Sequence, residues 1–342
     1  MTVALDATYS LGRNLSGVGA YCRALLYGLA REHPDSRFLF CYRSQRLLRA
    51  FREPLPRNAA RRLLHEWAPA GAGLFHGLNQ RLPPRRFPRV VTTFHDLFVM
   101  TGEYSTPEFR RRFSEQAREA AAGSDVIITV SAFTAAQVEG LLGVPRERIR
   151  VIPHGVEMPP EDERGGPREP LILHVGALQA RKNIARLVAA FERIRPPWRL
   201  VLAGSDGYGA AEIRAAIAAS PARERIDVPG YVSGGALRSL YRRASVLAFP
   251  SLDEGFGMPL LEAMAWGLPA VTSRGSALQE VAGDAALLVD PASVEEIAGG
   301  LARLIEDGPL RAKLIERGLA KAASSPWGKA VADTWRTYGE LL

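Results

Sequence analysis

The sequence predicts an α/β chain of two doubly wound, Rossmann-like domains facing a central cleft, and three observations carry that prediction. The first is length, because 342 residues exceed what one core organises when domains run to roughly 150 residues. The second is alternation. Short apolar runs lead into longer amphipathic stretches, TVALDA into GAYCRALLYGLAREH, VIITVS into AFTAAQVEGLL and LILHVGA into NIARLVAAFERI, which is the pattern of βαβ units and parallel sheets. The third is repetition, since RLVLAG, SVLAFPS and PAVTS continue the same logic in the second half.

Taken in order, TVALDA reads as the first strand and the run that follows as its helix. Pro, Gly and charged residues gather over 157–170 before a strand begins near Leu171, which marks a linker between a domain of residues 1–160 and one of 168–324. The last stretch, 325–342, sets Trp327, Val331, Trp335, Tyr338 and Leu341 at helical spacing. It reads as a terminal helix that packs back on the first domain.

Composition narrows the setting. Apolar residues make up 47% and charged residues 23% with no low-complexity tract, so the chain can bury enough surface to fold. The opening MTVALDATYS meets Asp6 too soon for a signal peptide or a membrane span. Cys22 and Cys41 form neither a zinc set nor a disulfide framework, and a reducing cytoplasm is the expected compartment. Residues 1–160 hold 22 Arg against 14 acids, whereas 161–342 balance at 22 of each sign, so the net +8 lies in the first part. Such an excess suits peripheral contact with the anionic inner face of the cytoplasmic membrane or a phosphorylated acceptor. It suits equally a solvated basic face of an Arg-rich chain. Nucleic acid is not expected, because the basic residues are not interleaved with aromatics.

Ligands of doubly wound sheets bind outside the carboxyl ends of the strands, so the chemistry is sought there. In FPSLDEGFGMPLLEAMAWGLPAVTS a strand ends near Ser251, a turn spans Glu254 to Gly257, and a helix follows with Pro259 in its first turn and Gly267 at its end. Such a helix start offers backbone N–H groups to a phosphate or sugar oxygen. Glu254 precedes the turn and Glu262 lies about one helical turn inside, so the two carboxylates can reach different parts of one extended ligand; singly they also read as a dipole-favoured acid and a surface residue. Arg181 and Lys182 follow a strand in HVGALQARKNI, and among 40 Arg and 4 Lys a lysine at 182 points to a compact ammonium. Gly17 and Gly19 of SGVGAY sit between strand and helix, where a simple turn explains them as well as ligand approach does. His95 in FHD ends another strand, a place open to a structural histidine or a site residue, and His76 and His154 stand in the same position after their strands. Ser131 reads as an N-cap. Without an Asp-x-Asp pair, a His/Cys cluster or a nucleophile elbow, no metal site is expected.

The stretch EGFGMPLLE resembles the Glu, seven residues, Glu motif of the retaining glycosyltransferases of family 4, which have the GT-B fold. The likeness runs nearly end to end through SGVGAYCRALL, VVTTFHDLF, TVSAFTAAQV, VIPHGV, HVGALQARKNI, VLAGSDG, GYVSGGALRSLYRRASVLAFPS and GDAALLVDP, in the family's order. It is similar above all to bacterial mannosyltransferases of surface-polysaccharide synthesis. The resemblance implies Glu254 beside the donor sugar, Glu262 on the ribose hydroxyls, and Arg181 and Lys182 on the diphosphate. Each charge-assisted contact of that kind contributes roughly 1.5–3 kcal/mol. It further implies backbone contacts from Gly255, Phe256, Gly257, Met258 and Leu260, a base-binding segment at Tyr231 and Val232, a phosphate-bordering loop at Gly17 and Gly19, and His95 near the reacting sugar. Many relatives carry an Arg directly after the glycine equivalent to Gly176, where this chain has Ala177; Arg181 is the residue placed to compensate.

The expected activity is transfer of a hexose, mannose first, from GDP-mannose or a UDP-sugar to a saccharide or lipid-linked acceptor. It proceeds with retention, without a cofactor, and with domain closure excluding water. Two other readings fit the same residues: a nucleotide-sugar epimerase, and a non-catalytic nucleotide-sugar-binding partner in a polysaccharide assembly complex.

Overall fold

The computed structural model describes residues 1–12, 15–64, 71–83 and 87–342. They divide into two compact units: Met1–Thr101, Thr106–Gly155 and Trp327–Leu342 form the first, and Gly102–Ser105 with Val156–Pro326 the second. Each unit is built on one parallel sheet.

In the first unit the strands are β1 (Thr2–Asp6), β2 (Arg37–Tyr42), β3 (Ala59–Leu63), β4 (Leu74–Gly77), β5 (Arg89–Phe94), β6 (Val126–Thr129) and β7 (Ile149–Val151). They lie in the order β3-β2-β1-β4-β5-β6-β7, each pair parallel. Their apolar runs do not alternate with polar residues because helices cover both faces of a parallel sheet; β4 and β6 are buried throughout. Helix Gly17–Glu32 sends Tyr21, Cys22, Leu25, Leu26 and Leu29 into a core shared with Val3, Leu5, Phe38 and Phe40. Full burial of one such aliphatic side chain contributes about 1.5–3 kcal/mol. Ser131 caps helix Ala132–Leu142 by accepting from Thr134 N–H at 3.0 Å, which satisfies a donor that the helix start leaves open.

The second unit holds β8 (Leu171–Val175), β9 (Arg199–Ala203), β10 (Ile226–Gly230), β11 (Val246–Phe249), β12 (Ala270–Ser273) and β13 (Leu287–Val289), in the order β10-β9-β8-β11-β12-β13. From β8 the chain winds outward one way, and from β11 the other. The loops that leave these two neighbouring strands therefore diverge, and the sheet has its topological switch point between them. The first unit has the same reversal between β1 and β4.

The terminal helix Trp327–Gly339 belongs to the first unit and packs on helix Gly17–Glu32. Gly28 permits the approach, since a Cβ there would stand 2.5 Å from Val331 Cγ2. Its Tyr338 hydroxyl shares a 2.6 Å hydrogen bond with His76 Nδ1, and His76 Nε2 shares one of 2.8 Å with Thr93 Oγ1. Both rings are wholly buried. Tyr338→Phe keeps the shape but leaves His76 Nδ1 without its partner, and should cost about 1–3 kcal/mol. A denaturant midpoint equal to the wild type's would contradict this.

Candidate active site

Three charged side chains meet at the switch point of the second sheet. After β8 the chain makes a 3₁₀ turn, Ala180–Lys182, which Asn183 ends in the left-handed region at φ 60°. The amide of Asn183 then donates to Pro250 O at 3.0 Å and Pro291 O at 2.6 Å. Leu252 N–H donates to Arg181 O at 2.8 Å. The loops after β8 and β11 are thus stitched together by backbone-directed bonds, and side-chain charges complete the join. Arg181 Nη1 lies 2.9 Å from Glu254 Oε2 and donates to Asp253 O at 3.0 Å. Lys182 Nζ donates to Glu254 Oε1 and stands 4.7 Å over the Phe249 ring.

Lys182 and Glu254 are each 7% exposed. Burial alone would raise the Glu254 pKa, but the charges and hydrogen bonds of Arg181 and Lys182 outweigh it and hold the pKa at about 2. The carboxylate therefore stays ionised, and two cations are kept side by side by one anion. His174, buried below this cluster, donates from Nδ1 to Ala248 O at 2.9 Å, and burial pushes its pKa down to about 4. Its ring is neutral and its Nε2 is a buried lone pair with no hydrogen-bond partner among the described residues.

Gly257, at φ 97°, turns the chain into helix Met258–Ala265. A side chain there would be strained by that φ and would collide with Leu278. Glu262 sits inside this helix, and the Tyr241 hydroxyl donates to its Oε2 at 2.7 Å. Burial raises the pKa of Glu262 and holds that of Tyr241 well above the ordinary phenol value, so Tyr241 stays a donor. No hydrogen bond from a described residue reaches Oε1 of Glu262.

Phe256 and Gly257 are buried and Met258 is half-buried. Leu260 is placed differently from the expectation that its backbone faces a ligand: its side chain is 0% exposed in the core and its N–H donates to Gly257 O at 2.9 Å. Tyr231, 52% exposed, and Val232 follow edge strand β10, at the carboxyl end of the sheet, as the charged cluster follows the central strands β8 and β11.

In the first unit Gly17 opens its helix and is exposed. Gly19 gives its N–H to the Ser16 N-cap at 3.2 Å, and a Cβ there would lie 2.9 Å from Tyr9 O. Gly19 thus lies inside the helix rather than in a turn before it, at a point where the backbone of Tyr9 packs closely. His95 donates from Nε2 to Leu78 O at 2.9 Å, and burial lowers its pKa to about 4. Its Nδ1 is a buried acceptor without a partner among the described residues. His95 stacks on His154 at 5.4 Å and meets the edge of Tyr21 at 4.7 Å. Both bonds to His76 are internal, which makes it a structural residue.

Sequence reasoning missed Tyr241, Asn183 and His174. Each sits in a helix, a turn or a strand where its residue type is unremarkable. Among the described residues no group of three or more His, Cys, Asp or Glu is placed to hold a metal ion, and no helix is long and apolar enough to cross a membrane.

A doubly wound parallel sheet with cationic, glycine-turned strand ends belongs to the class of folds that take ligands at the carboxyl ends of their strands. Comparison with known proteins carries this to a family. The family model described as glycosyl transferases group 1 matches residues 160–321, and that of glycosyltransferase family 4 matches residues 29–158. The O-antigen chain mannosyltransferase B of Escherichia coli is 31% identical over 78% of this chain and 74% of its own length. The chain belongs to the family 4 glycosyltransferases. Among solved structures, sucrose-phosphate synthase of Thermosynechococcus elongatus has a TM-score of 0.79 at 21% identity, covering 100% of this chain and 99% of that one. HepE of Anabaena, in complex with UDP-glucose, has a TM-score of 0.74 at 17% identity, covering 99% of each. Both share the GT-B fold.

Glu254→Gln removes the carboxylate shared by buried Lys182 and half-buried Arg181, and should cost on the order of 3–5 kcal/mol. Since the folded pKa of about 2 lies below the ordinary 4.5, the contribution of Glu254 is complete above pH 4.5 and is lost as the pH falls towards 2. The gap between wild type and variant in pH-series melts should therefore be constant above pH 4.5 and narrow below it. A gap that widens on acidification would contradict the ionised triad.

Proposed function

We propose that the chain transfers a hexose, mannose first, from a nucleoside diphosphate sugar to a saccharide or lipid-linked saccharide, with retention of anomeric configuration. The observation that carries this reading is the Lys182–Glu254–Arg181 cluster standing before Gly257 and the Glu262 helix, at the carboxyl ends of β8 and β11. The second unit serves as the donor domain, and the first, which includes the terminal helix, serves the acceptor.

Lys182 and Arg181 take the diphosphate. Their attraction to it grows as the leaving group gains charge, which is preorganised electrostatic stabilisation. Glu254 orients both cations and faces the sugar, and Glu262 accepts from the ribose hydroxyls through Oε1. Gly255, Phe256, Gly257 and Met258 border the sugar and diphosphate, Tyr231 and Val232 the base, and Gly17 the phosphate side of the acceptor domain. His95 is neutral near pH 7, so its Nδ1 accepts a hydrogen bond from a sugar hydroxyl.

In the step itself the acceptor oxygen bonds to the anomeric carbon as the bond from that carbon to the diphosphate oxygen breaks. The acceptor proton passes to the departing phosphate on the same face. GDP-mannose is preferred over a UDP-sugar because the O-antigen chain mannosyltransferase B of Escherichia coli and other relatives are named as mannosyltransferases. The net +8, carried by residues 1–160, favours working at the anionic inner face of the cytoplasmic membrane.

Thermal shift against GDP-mannose, GDP, UDP-glucose and UDP tests the donor, because a ligand that binds the folded state raises its stability with affinity. Lys182→Ala and Glu262→Ala should each weaken donor binding at least tenfold, and unchanged shifts in both would sink the assignment. Tyr241→Phe frees Glu262 to rotate, and should weaken the ribonucleotide severalfold while leaving a 2′-deoxynucleotide nearly unaffected. Equal losses for the two nucleotides would show that Tyr241 acts on the fold rather than on ribose recognition.

A further inference from the structure

The two most exposed large apolar side chains among the described residues, Leu48 at 83% and Phe51 at 64%, lie three residues apart on one segment of the first unit. Single exposed apolar residues are ordinary, but this pair has specific surroundings. Leu48 belongs to the short helix Ser44–Ala50, and Phe51 is its C-cap. Ala50 is buried and Leu47 packs on the core, so the opposite side of the helix points to solvent. Arg46, Arg49 and Arg52 recur every third residue beside the apolar pair, and all three are exposed. Across residues 43–57 there are five Arg, at 43, 46, 49, 52 and 57, and a single acid, Glu53. That acid is paired with Arg23 at 2.5 Å.

The segment is held firmly. Arg61 donates to Ala50 O at 3.0 Å and Glu53 O at 2.5 Å, and its guanidinium lies 5.3 Å over the Phe51 ring. The Tyr27 hydroxyl donates to Pro54 O at 2.8 Å. Leu48 and Phe51 are therefore presented to solvent from a fixed support.

We propose that this face docks on an anionic lipid bilayer, with Leu48 and Phe51 entering the boundary between headgroups and acyl chains and Arg46, Arg49 and Arg52 meeting lipid phosphates. Apolar tips rimmed by basic side chains are the chemistry of an interfacial helix, and long arginine stems reach headgroups while their apolar parts stay in contact with lipid. The one acid of residues 43–57, Glu53, is already paired with Arg23, so the arginines of the row add attraction to an anionic surface. A bilayer fits better than a protein partner because the features are two apolar points in a field of one sign rather than a shaped groove. The inference rests on the proposed membrane-side function and assigns the surface that carries it.

The test is flotation of the full chain with vesicles of phosphatidylglycerol and phosphatidylcholine, and with phosphatidylcholine alone. The wild type should float with the anionic vesicles only. The double variant Leu48→Ser, Phe51→Ser, and separately Arg46→Gln, Arg49→Gln, Arg52→Gln, should each lose about tenfold or more in vesicle affinity. Their thermal shift with donor nucleotide should be unchanged, since neither set touches the donor site, and their melting should fall only slightly, since the Arg61 contact with the Phe51 ring lies at an exposed side chain. A wild type that floats and variants that float equally would overturn this surface while keeping membrane contact. A wild type that floats with neither vesicle would overturn both, and would leave the face to a protein partner.

Discussion

The ion cluster formed by Glu254 with Arg181 and Lys182 is the constraint on which the second unit's site depends. Two cations on adjacent residues, nearly out of water, repel one another and lose hydration. One carboxylate between them, accepting through both oxygens, makes the arrangement tenable. The same contacts fix where the loops after β8 and β11 stand relative to each other, because those loops leave the sheet in opposite directions. Asn183 adds two backbone anchors across that gap. A diphosphate arriving there would meet cations already oriented, so little reorganisation remains for the moment of reaction.

A second theme is neutrality kept by burial. His76, His95 and His174 are all pushed well below the ordinary imidazole pKa, chiefly by desolvation. For His95 and His174 a backbone carbonyl, which can only accept, fixes the proton on one nitrogen and leaves the other as an acceptor. Such rings can receive a hydroxyl but cannot supply a positive charge near pH 7. In the proposed reaction the phosphate-facing charge is therefore assigned to Arg181 and Lys182.

Much of the fold was legible because its signals are local. Alternating apolar runs and amphipathic stretches mark the strands and helices of parallel sheets, and VIITVS with AFTAAQVEGLL became β6, the Ser131 cap and helix Ala132–Leu142. The candidate site residues were legible as types at strand ends, but their partnerships were not. Lys182 and Glu254 are 72 residues apart, Tyr241 and Glu262 are 21 apart, and His76 and Tyr338 are 262 apart. No periodicity encodes such pairs; only the strand order brings them together. Leu260 shows the opposite failure, since position in a motif suggested an open N–H that the helix itself consumes. Leu48 and Phe51 drew no notice in the sequence because an apolar residue in a short helix reads as core until its neighbours are placed.

The most direct test of the central claim is a crystal structure of the chain with GDP or UDP bound. The account predicts the diphosphate against Lys182 and Arg181, with Glu254 still bridging them, and the ribose hydroxyls on Glu262. A nucleotide bound with its diphosphate away from Lys182 and its ribose away from Glu262 would contradict it.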